Sequence, residues 1–587
     1  MTRQEILPIL KWLGLALLLN CLLFVPMLVV YWDVGSIWPR SGFEPGDTLG
    51  KWLIVLTRTN PDFWRISGEF AVMFAIVYAL RNQRWANWLL WVWVPLYLFL
   101  LYYQIYYAVS LRIYGQHPFF QNDWKLAMEV LPIFLGQVAK GQTWTFIGGI
   151  IGLIAASGLL AWIWRMLLHA SQQLSYRKWQ TILVCLLLFG VGILSLAPNR
   201  SDYRRDYHTL NWTSELVWES AHLPGADTYK HFNQRIKYDA FFRHDLAHRP
   251  NVYLLFVEAY GSIIQKLEGE NEPFRQTMAM LSDTLAASGW GAVSAMSHAP
   301  VLGGRSWLSF TSVISGLPIQ HHVQYTDLLA EQTDFPHLGR FLKDKGYQFH
   351  RLKTFRQSNP EIDPKTDPSL VYFDYDRFVD YPDIPYLGWH FDYFGGIPDQ
   401  FALGYYEEGI DHPIDQPRFL FYISMATHVP FFPPPPLLPD WRALDAIKSD
   451  PYNIPVPEGT DLYMARFEEP MYFRYRRALE YDLKLYVQFI QTQIEPEDVV
   501  IVLGDHQPAM ITQEGVHGME VPVHVISQNQ AFLKEFKAAG FIEGFTADGP
   551  IPSDIRHEGL YSLLVRGLIR GYGQDSTVLP TYYPAGI

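Results

Sequence analysis

Hydrophobic positions follow two regimes along this chain of 587 residues. Up to Pro198 they form long, nearly unbroken runs; beyond it they form short runs separated by mixed stretches. A helix needs about 20 apolar residues to cross a bilayer. Five segments meet that length, roughly 11–32, 63–81, 86–108, 144–164 and 179–197. The first has too long an apolar run for a signal peptide and four more spans follow it, so it reads as an anchor. The second carries Arg65 and Glu69, a polar pair expected to face the bundle or the interface. Basic residues at the span ends set the orientation. Arg3, Lys11, Arg81, Arg84, Arg165, Arg177 and Lys178 fall on one side, whereas the loops 33–62 and 109–143 dilute their bases with Asp and Glu. The N-terminus is therefore expected in the cytoplasm of a bacterial-type cell, with everything after Pro198 outside the inner membrane. Trp32, Trp38, Trp85, Trp88, Tyr102 and Tyr103 crowd the span ends as interfacial anchors do.

Residues 199–250 mix charge, aromatics and His without clear periodicity. They read as a connector, with short helices over 206–218 and 229–242 lying on the membrane surface. From 251 to 587 the pattern is that of a soluble α/β domain. Apolar runs rich in β-branched and aromatic residues recur at 252–257, 419–424, 499–503 and 521–526, as strands buried on both faces do. Helical stretches lie between them. The segment 474–494 puts Leu479, Leu483, Tyr486 and Ile490 on one face, and 335–346 ends at Gly346 after Lys343 and Lys345, a helix stop signal. Alternating strand and helix implies a mainly parallel, doubly wound sheet, with ligands beyond the carboxyl ends of the strands.

That rule directs attention to particular residues. The first strand ends at Glu258, the run 499–503 leads into Gly504-Asp505-His506, and His428 follows the run 419–424. Carboxylates and imidazole converging at one sheet edge suit zinc, manganese or magnesium. Gly303 and Gly304 allow a tight turn before Ser306, where a helix is expected to begin. A hydroxyl there sits at the positive helix end, which suits a phosphate and a depressed hydroxyl pKa, although Ser at a helix start also serves as a plain cap. The net charge of -12 gives no basic face for nucleic acid. Both cysteines, Cys21 and Cys185, lie in the apolar runs, so the soluble part has no disulfide and depends on its core.

Glu258 after a strand, Ser306 opening a small-residue helix, the segment Ala426-Thr-His-Val-Pro-Phe431 and Gly504-Asp505-His506 together resemble the alkaline phosphatase and sulfatase superfamily. The membrane layout narrows the resemblance to lipoteichoic acid synthase-like and phosphoethanolamine transferase-like enzymes. It implies an N-terminal five-helix transmembrane bundle (1–198), a connector (199–250) and an extracytoplasmic sulfatase-like catalytic domain (251–587). It also implies one divalent metal ion (manganese, magnesium or zinc) on Glu258, Ser306, Asp505 and His506, with Ser306 as nucleophile. Ser309 and Ser315 follow at the small-residue spacing of the family's nucleophile helix. His428, His517 and Arg356 would contact the substrate. Gly346-Tyr347 matches the family's Gly-Tyr before a strand, but the His expected after it is not matched, because His350 lies too close.

The implied reaction moves a phosphoglycerol or phosphoethanolamine head group from a phospholipid donor to an envelope glycan or lipid acceptor through a phospho-serine intermediate. Ser306 is not in the Cys/Ser-x-Pro/Ala-x-Arg context of formylglycine sulfatases, and the soluble part lacks cysteine, which leans towards phosphoglycerol. Two alternatives use the same residues: a phosphodiesterase or phosphatase with water as acceptor, and a catalytically inactive lipid-sensing regulator. A transporter is disfavoured by the few central charges in the spans and the lack of an inverted repeat.

Overall fold

The computed structural model describes residues 3–30, 38, 62, 64–114, 117–120, 123–124, 127–128, 143–174, 178–195, 210–221, 235–331, 334–355, 367–391, 396–412, 416–448, 469–512, 518–550 and 555–587. The chain divides into two compact units, one over Met1–Leu223 and the other over Pro224–Gln513 and His517–Ile587.

The first unit is helical. The run expected as one span over 11–32 is two helices, Arg3–Leu22 and Val25–Val30. Pro26 explains the break, since a continuous helix would drive its ring into the Leu22 carbonyl and leave that carbonyl without a donor. The segment 63–81 becomes helical only at Gly68–Leu80, because the Ser67 side chain caps it by accepting the Phe70 N–H at 3.1 Å. Ile66–Ser67 instead forms strand β1, paired in parallel with β2, Leu210–Asn211. The remaining helices are Leu89–Tyr114, Thr143–Gln172, Lys178–Ser195 and Thr213–Ala221. Among the described residues two helices are long and apolar enough to cross a membrane, Ala86–Tyr114 and Ile151–Gln172. The apolar segments Ile6–Leu22, Gly68–Leu80 and Gln180–Ile193 fall short of about 20 residues. Trp12, Phe70, Phe74, Tyr97 and Trp164 pack inside this unit, while Trp91, Ile154 and Phe189 are exposed.

The second unit is built on an eight-stranded sheet. Its strands are β3 (Val252–Val257), β4 (Gly291–His298), β5 (Gln348–Leu352), β6 (Arg377–Val379), β7 (Arg418–Ile423), β8 (Val499–Gly504), β9 (Glu520–Ser527) and β10 (Ile542–Glu543). Their order is β10-β4-β9-β8-β3-β7-β5-β6. The block β8-β3-β7-β5-β6 is parallel, and the pairs β8-β9, β9-β4 and β4-β10 are antiparallel. The sheet is thus mixed, with β9 and β10 reversed. Among the described residues of the 505–519 connection no helix forms that would carry a parallel crossover, and β9 returns antiparallel beside β8.

Side chains of β3 alternate between two cores, as the two-residue period of a strand requires. Leu254 and Phe256 join the core that includes Leu308, Phe341, Phe532 and Leu564. Leu255 and Val257 join the one that includes Phe274, Leu403, Leu479 and Tyr486. Helices therefore cover both faces, which is why the parallel strands read as continuous apolar runs. The helix expected over 474–494 is Met471–Gln493 and buries Leu479, Leu483, Tyr486 and Ile490 as expected. The one expected over 335–346 is shorter, Leu338–Asp344, because the His337 side chain caps it by accepting the Arg340 N–H. Within the expected connector, the helix Arg235–Phe242 buries Tyr238 and Phe241 in the first of these cores.

The pairing register aligns the carboxyl ends of three strands. Phe256 lies opposite Ile423 on one side, and Val257 lies opposite Gly504 on the other. Glu258, Ser424 and Asp505 consequently leave the sheet side by side.

Candidate metal and nucleophile site

Glu258, Asp505 and His506 each offer one ligand atom, and these atoms lie within 4.8 Å of one another. His506 Nε2 is 3.3 Å from Asp505 Oδ2 and 3.5 Å from Glu258 Oε1. The three residues are buried. Ser306 completes the cluster: its Oγ–H donates to Glu258 Oε2 at 2.9 Å, and its Oγ lies 3.2 Å from His506 Nε2.

Local backbone structure fixes each of these groups. Gly304 (φ 62°) and Arg305 (φ 60°) both adopt left-handed conformations, a sharp turn that delivers Ser306 as the first residue of the Ser306–Ser315 helix. Ser306 is not the cap; Arg305 occupies that position without a side-chain capping bond. The serine hydroxyl is left to the cluster, at the helix end whose backbone N–H groups attract anions. Ser309 and Ser315, further along the helix, are buried. Asp505 Oδ1 accepts the Ala259 N–H at 2.7 Å and the His506 N–H at 2.8 Å. This clamp holds Ala259 at φ 57°, a costly conformation for a residue with a Cβ. His506 Nδ1 donates to the Gln507 carbonyl at 2.8 Å, so a neutral ring presents Nε2 as the acceptor.

The donor set fits a divalent cation. Asp505 Oδ2 is buried without a hydrogen-bond partner. Burial, and then the charge of Asp505, raise the Glu258 carboxyl well above its ordinary pKa. Two buried carboxylates facing an imidazole acceptor nitrogen are stabilised by a positive ion between them, and oxygen and imidazole ligands match the harder divalent metals.

Two layers behind the cluster carry groups that the sequence pattern left unassigned. His557 donates through Nε2 to the Gly504 carbonyl at 3.1 Å and meets Ser297 Oγ at 3.0 Å through Nδ1; burial pushes its pKa down to about 4. Gln507 Nε2 donates to Ser262 Oγ and to the Gly518 and Glu520 carbonyls, tying the loop after β8 to the start of β9. Gly504 itself has no room for a side chain, because a Cβ there would run into the Tyr260 carbonyl oxygen. Gly504→Ala is expected to destabilise the fold by about 3 kcal/mol. Thermal unfolding checks this, and an unchanged Tm would contradict it.

His428 sits past β7, half-buried, with Nδ1 donating to the Val429 carbonyl at 2.6 Å. Burial holds its pKa below the usual histidine value; the Val429 carbonyl and the Asp505 charge oppose that shift and His506 adds to it. The two other candidate substrate contacts, Arg356 and His517, lie outside the described residues.

The loop that leads to His428 is anchored on a buried carboxylate pair. Asp399 accepts the Tyr422 hydroxyl, the Met425 N–H at 2.7 Å and the Ala426 N–H at 3.0 Å. Asp482 accepts the Thr427 hydroxyl at 3.0 Å, and Ser424 Oγ accepts the Glu258 N–H at 3.2 Å. One signal for Asp482 was present in the sequence: an acid on the apolar stripe of Leu479, Leu483 and Tyr486. Burial raises the pKa of both acids, and the charge of Asp399 raises that of Asp482 further. A raised folded-state pKa means that the native protein binds these protons more tightly than the unfolded chain. The pair thus favours folding at low pH and costs stability as pH climbs above the ordinary Asp range near 3.9. Asp482→Asn removes one charge, so its unfolding free energy relative to the native protein is expected to improve with pH, by on the order of 1–3 kcal/mol between pH 5 and pH 8. Thermal unfolding across that range checks the sign; a pH-independent difference would contradict it.

Comparison with known proteins finds no matching family model and no matching curated protein. Among solved structures, members of the alkaline phosphatase superfamily match. A protein in that superfamily from Vibrio parahaemolyticus is 13% identical, with 60% of this chain and 77% of that one covered at a TM-score of 0.35. The C-terminal periplasmic domain of EcEptC from Escherichia coli is 13% identical, with 58% and 90% covered at 0.35. The phosphoglycerol transferase GacH from Streptococcus pyogenes, in complex with sn-glycerol-1-phosphate, is 13% identical, with 60% and 88% covered at 0.34. Likenesses this distant decide nothing about chemistry, which turns on the four clustered side chains.

Proposed function

We propose that this chain is a membrane-anchored, metal-dependent phosphotransferase. In this reading it moves a phosphoglycerol or phosphoethanolamine head group from a phospholipid to an envelope glycan or lipid acceptor, with Ser306 as nucleophile. The observation that carries the reading is the Ser306 hydroxyl, which donates to Glu258 and meets His506 Nε2 at a helix N-terminus. A serine hydroxyl is a weak nucleophile unless something stabilises its ionised form. Glu258, Asp505 and His506, with Ser306 Oγ, would hold one manganese, magnesium or zinc ion. Such an ion supplies positive charge that lowers the hydroxyl pKa and offsets the charge on a phosphate oxygen.

The protein's own groups position the reaction. Asp505 Oδ1 fixes the turn after Glu258, and the first-turn N–H groups of the Ser306–Ser315 helix face an anion. Ser306 Oγ bonds to phosphorus as the bond to the diacylglycerol oxygen breaks, and diacylglycerol leaves with a proton. An acceptor hydroxyl then displaces Ser306 Oγ. His428, together with Arg356 and His517, would offset phosphate charge during both steps, the positioning and charge work that dominates phosphoryl transfer.

A lipid donor gives a reason for joining this unit to apolar helices. The helices Ala86–Tyr114 and Ile151–Gln172 support an anchor. The bias of basic residues supports a cytoplasmic N-terminus and a periplasmic or extracellular catalytic unit in a multi-pass arrangement of five spans.

The test is incubation of the full chain with head-group-labelled phosphatidylglycerol and phosphatidylethanolamine in the presence of manganese, magnesium or zinc. One lipid should yield diacylglycerol, with its label on an acceptor and not merely released. Release to water alone would identify a hydrolase, and consumption of neither lipid would overturn the reading.

A further inference from the structure

A cavity of about 500 Å³ opens at the carboxyl ends of β5 and β6. Its volume lies in the range of small-molecule sites. It begins close to the nucleophile: Phe310 lines it and sits four residues after Ser306 on the same helix, hence on the same face, about 6 Å further along the axis.

The lining has a distinctive chemistry. Seven of the fourteen described lining residues are aromatic and only one, Leu370, is aliphatic. The Phe310 ring packs 5.0 Å from that of Phe421, and Tyr375 stacks on Phe378 at 6.0 Å. Charged groups stand among the rings. Arg351 lies 4.1 Å over Phe421 and is tied down through the Leu352 and Phe421 carbonyls. Lys353 Nζ sits 3.4 Å from Asp380 and 4.8 Å over the Phe355 ring. Asp383, beside Asp380, is exposed.

An acyl chain gains nothing from carboxylates and cations and is best matched by aliphatic walls. A sugar ring has the opposite needs. Its C–H face packs on an aromatic ring, and its hydroxyls donate to carboxylates and accept from ammonium groups. We propose that this aromatic and carboxylate-lined cavity, one helical turn from Ser306, is the acceptor subsite, and that its occupant is a sugar residue of a glycan. The inference rests on the phosphotransferase reading and narrows its acceptor from glycan or lipid to glycan. A sugar seated there turns a hydroxyl towards Ser306. The hydroxyl oxygen bonds to phosphorus, the Ser306 Oγ–P bond breaks, and the hydroxyl proton returns to Ser306.

Phe378→Leu and Asp383→Asn test it in the full chain, held in a sugar-free detergent. Phe378→Leu keeps an apolar wall of similar volume but removes the ring; Asp383→Asn changes one exposed carboxylate and leaves the core untouched. The probes are maltose and chitobiose, read by saturation-transfer NMR from the protein's aromatic protons. Formation of diacylglycerol from labelled phospholipid in the first half-reaction, without sugar, is measured alongside. At least one disaccharide should receive saturation on its ring C–H protons, and each substitution should weaken its binding about tenfold while diacylglycerol formation stays within about twofold. No transfer to either sugar, or binding unchanged in Phe378→Leu, would overturn the subsite. Failure of diacylglycerol formation in the native chain would instead overturn the phosphotransferase reading, whatever the sugars do.

Discussion

Ser306→Ala is expected to lower head-group transfer by roughly 10,000-fold or more, the scale of losing a covalent nucleophile. Stability should change little, and the metal should still bind, more weakly, on the three remaining ligands. The Ser306 side chain does not cap its helix, and its hydrogen-bonding partners are Glu258 and His506. Alanine is at least as good a helix former, so the net loss should stay within about 1 kcal/mol. Glu258, Asp505 and His506 keep their mutual arrangement because their anchors lie in the strand ends and in the Ala259, Ser424 and Gln507 contacts. Transfer kinetics, elemental analysis and thermal unfolding on the same preparation separate these effects. A variant with more than a tenth of native activity would show that another group attacks phosphorus.

Asp505→Ala should lose metal and activity together, with a fall of at least about 1,000-fold in transfer, and should also be destabilised. Removing the carboxylate strands two buried donors, the Ala259 and His506 N–H groups, at about 1–3 kcal/mol each. Asp505→Asn separates the two roles. Its remaining carbonyl oxygen can hold both N–H groups, so most stability returns while metal affinity stays lowered. His428→Ala provides the contrast: it should keep the metal and lose about 100- to 1,000-fold in rate, as loss of one charge-stabilising donor does. Metal retained in Asp505→Ala, or lost in His428→Ala, would reverse the roles assigned to these residues.

Much of this site was legible in the sequence because it lies where apolar strand runs stop. The runs ending at Val257 and Gly504 are buried on both faces, so their lengths marked Glu258 and Asp505-His506 as strand-end residues. Two glycines before Ser306 marked the turn, and the helix begins there. Strand direction left no such trace. A buried antiparallel strand and a buried parallel one carry the same apolar pattern, so β9 gave no sign that it is reversed. β4 was hidden because it carries Ser294, Ser297 and His298. These polar side chains are tolerated in a strand because Ser294 bonds His524 and Ser297 bonds His557, contacts that only the folded sheet creates. Asp399 and Asp482 meet from distant stretches of chain, and no local spacing relates them. In the first unit, total apolar length suggested continuous spans, whereas Pro26 and the Ser67 cap decide where helices stop and start.

The central claim is a covalent phospho-serine at position 306. The most direct measurement is peptide mass analysis of the full chain after incubation with phosphatidylglycerol or phosphatidylethanolamine and a divalent metal, quenched in acid before acceptor is added. The account predicts a phosphoglycerol or phosphoethanolamine mass increment on the peptide containing Ser306, absent from Ser306→Ala and discharged when acceptor is supplied. Turnover of the lipid with Ser306 unmodified throughout, or an adduct on a different residue, would contradict it.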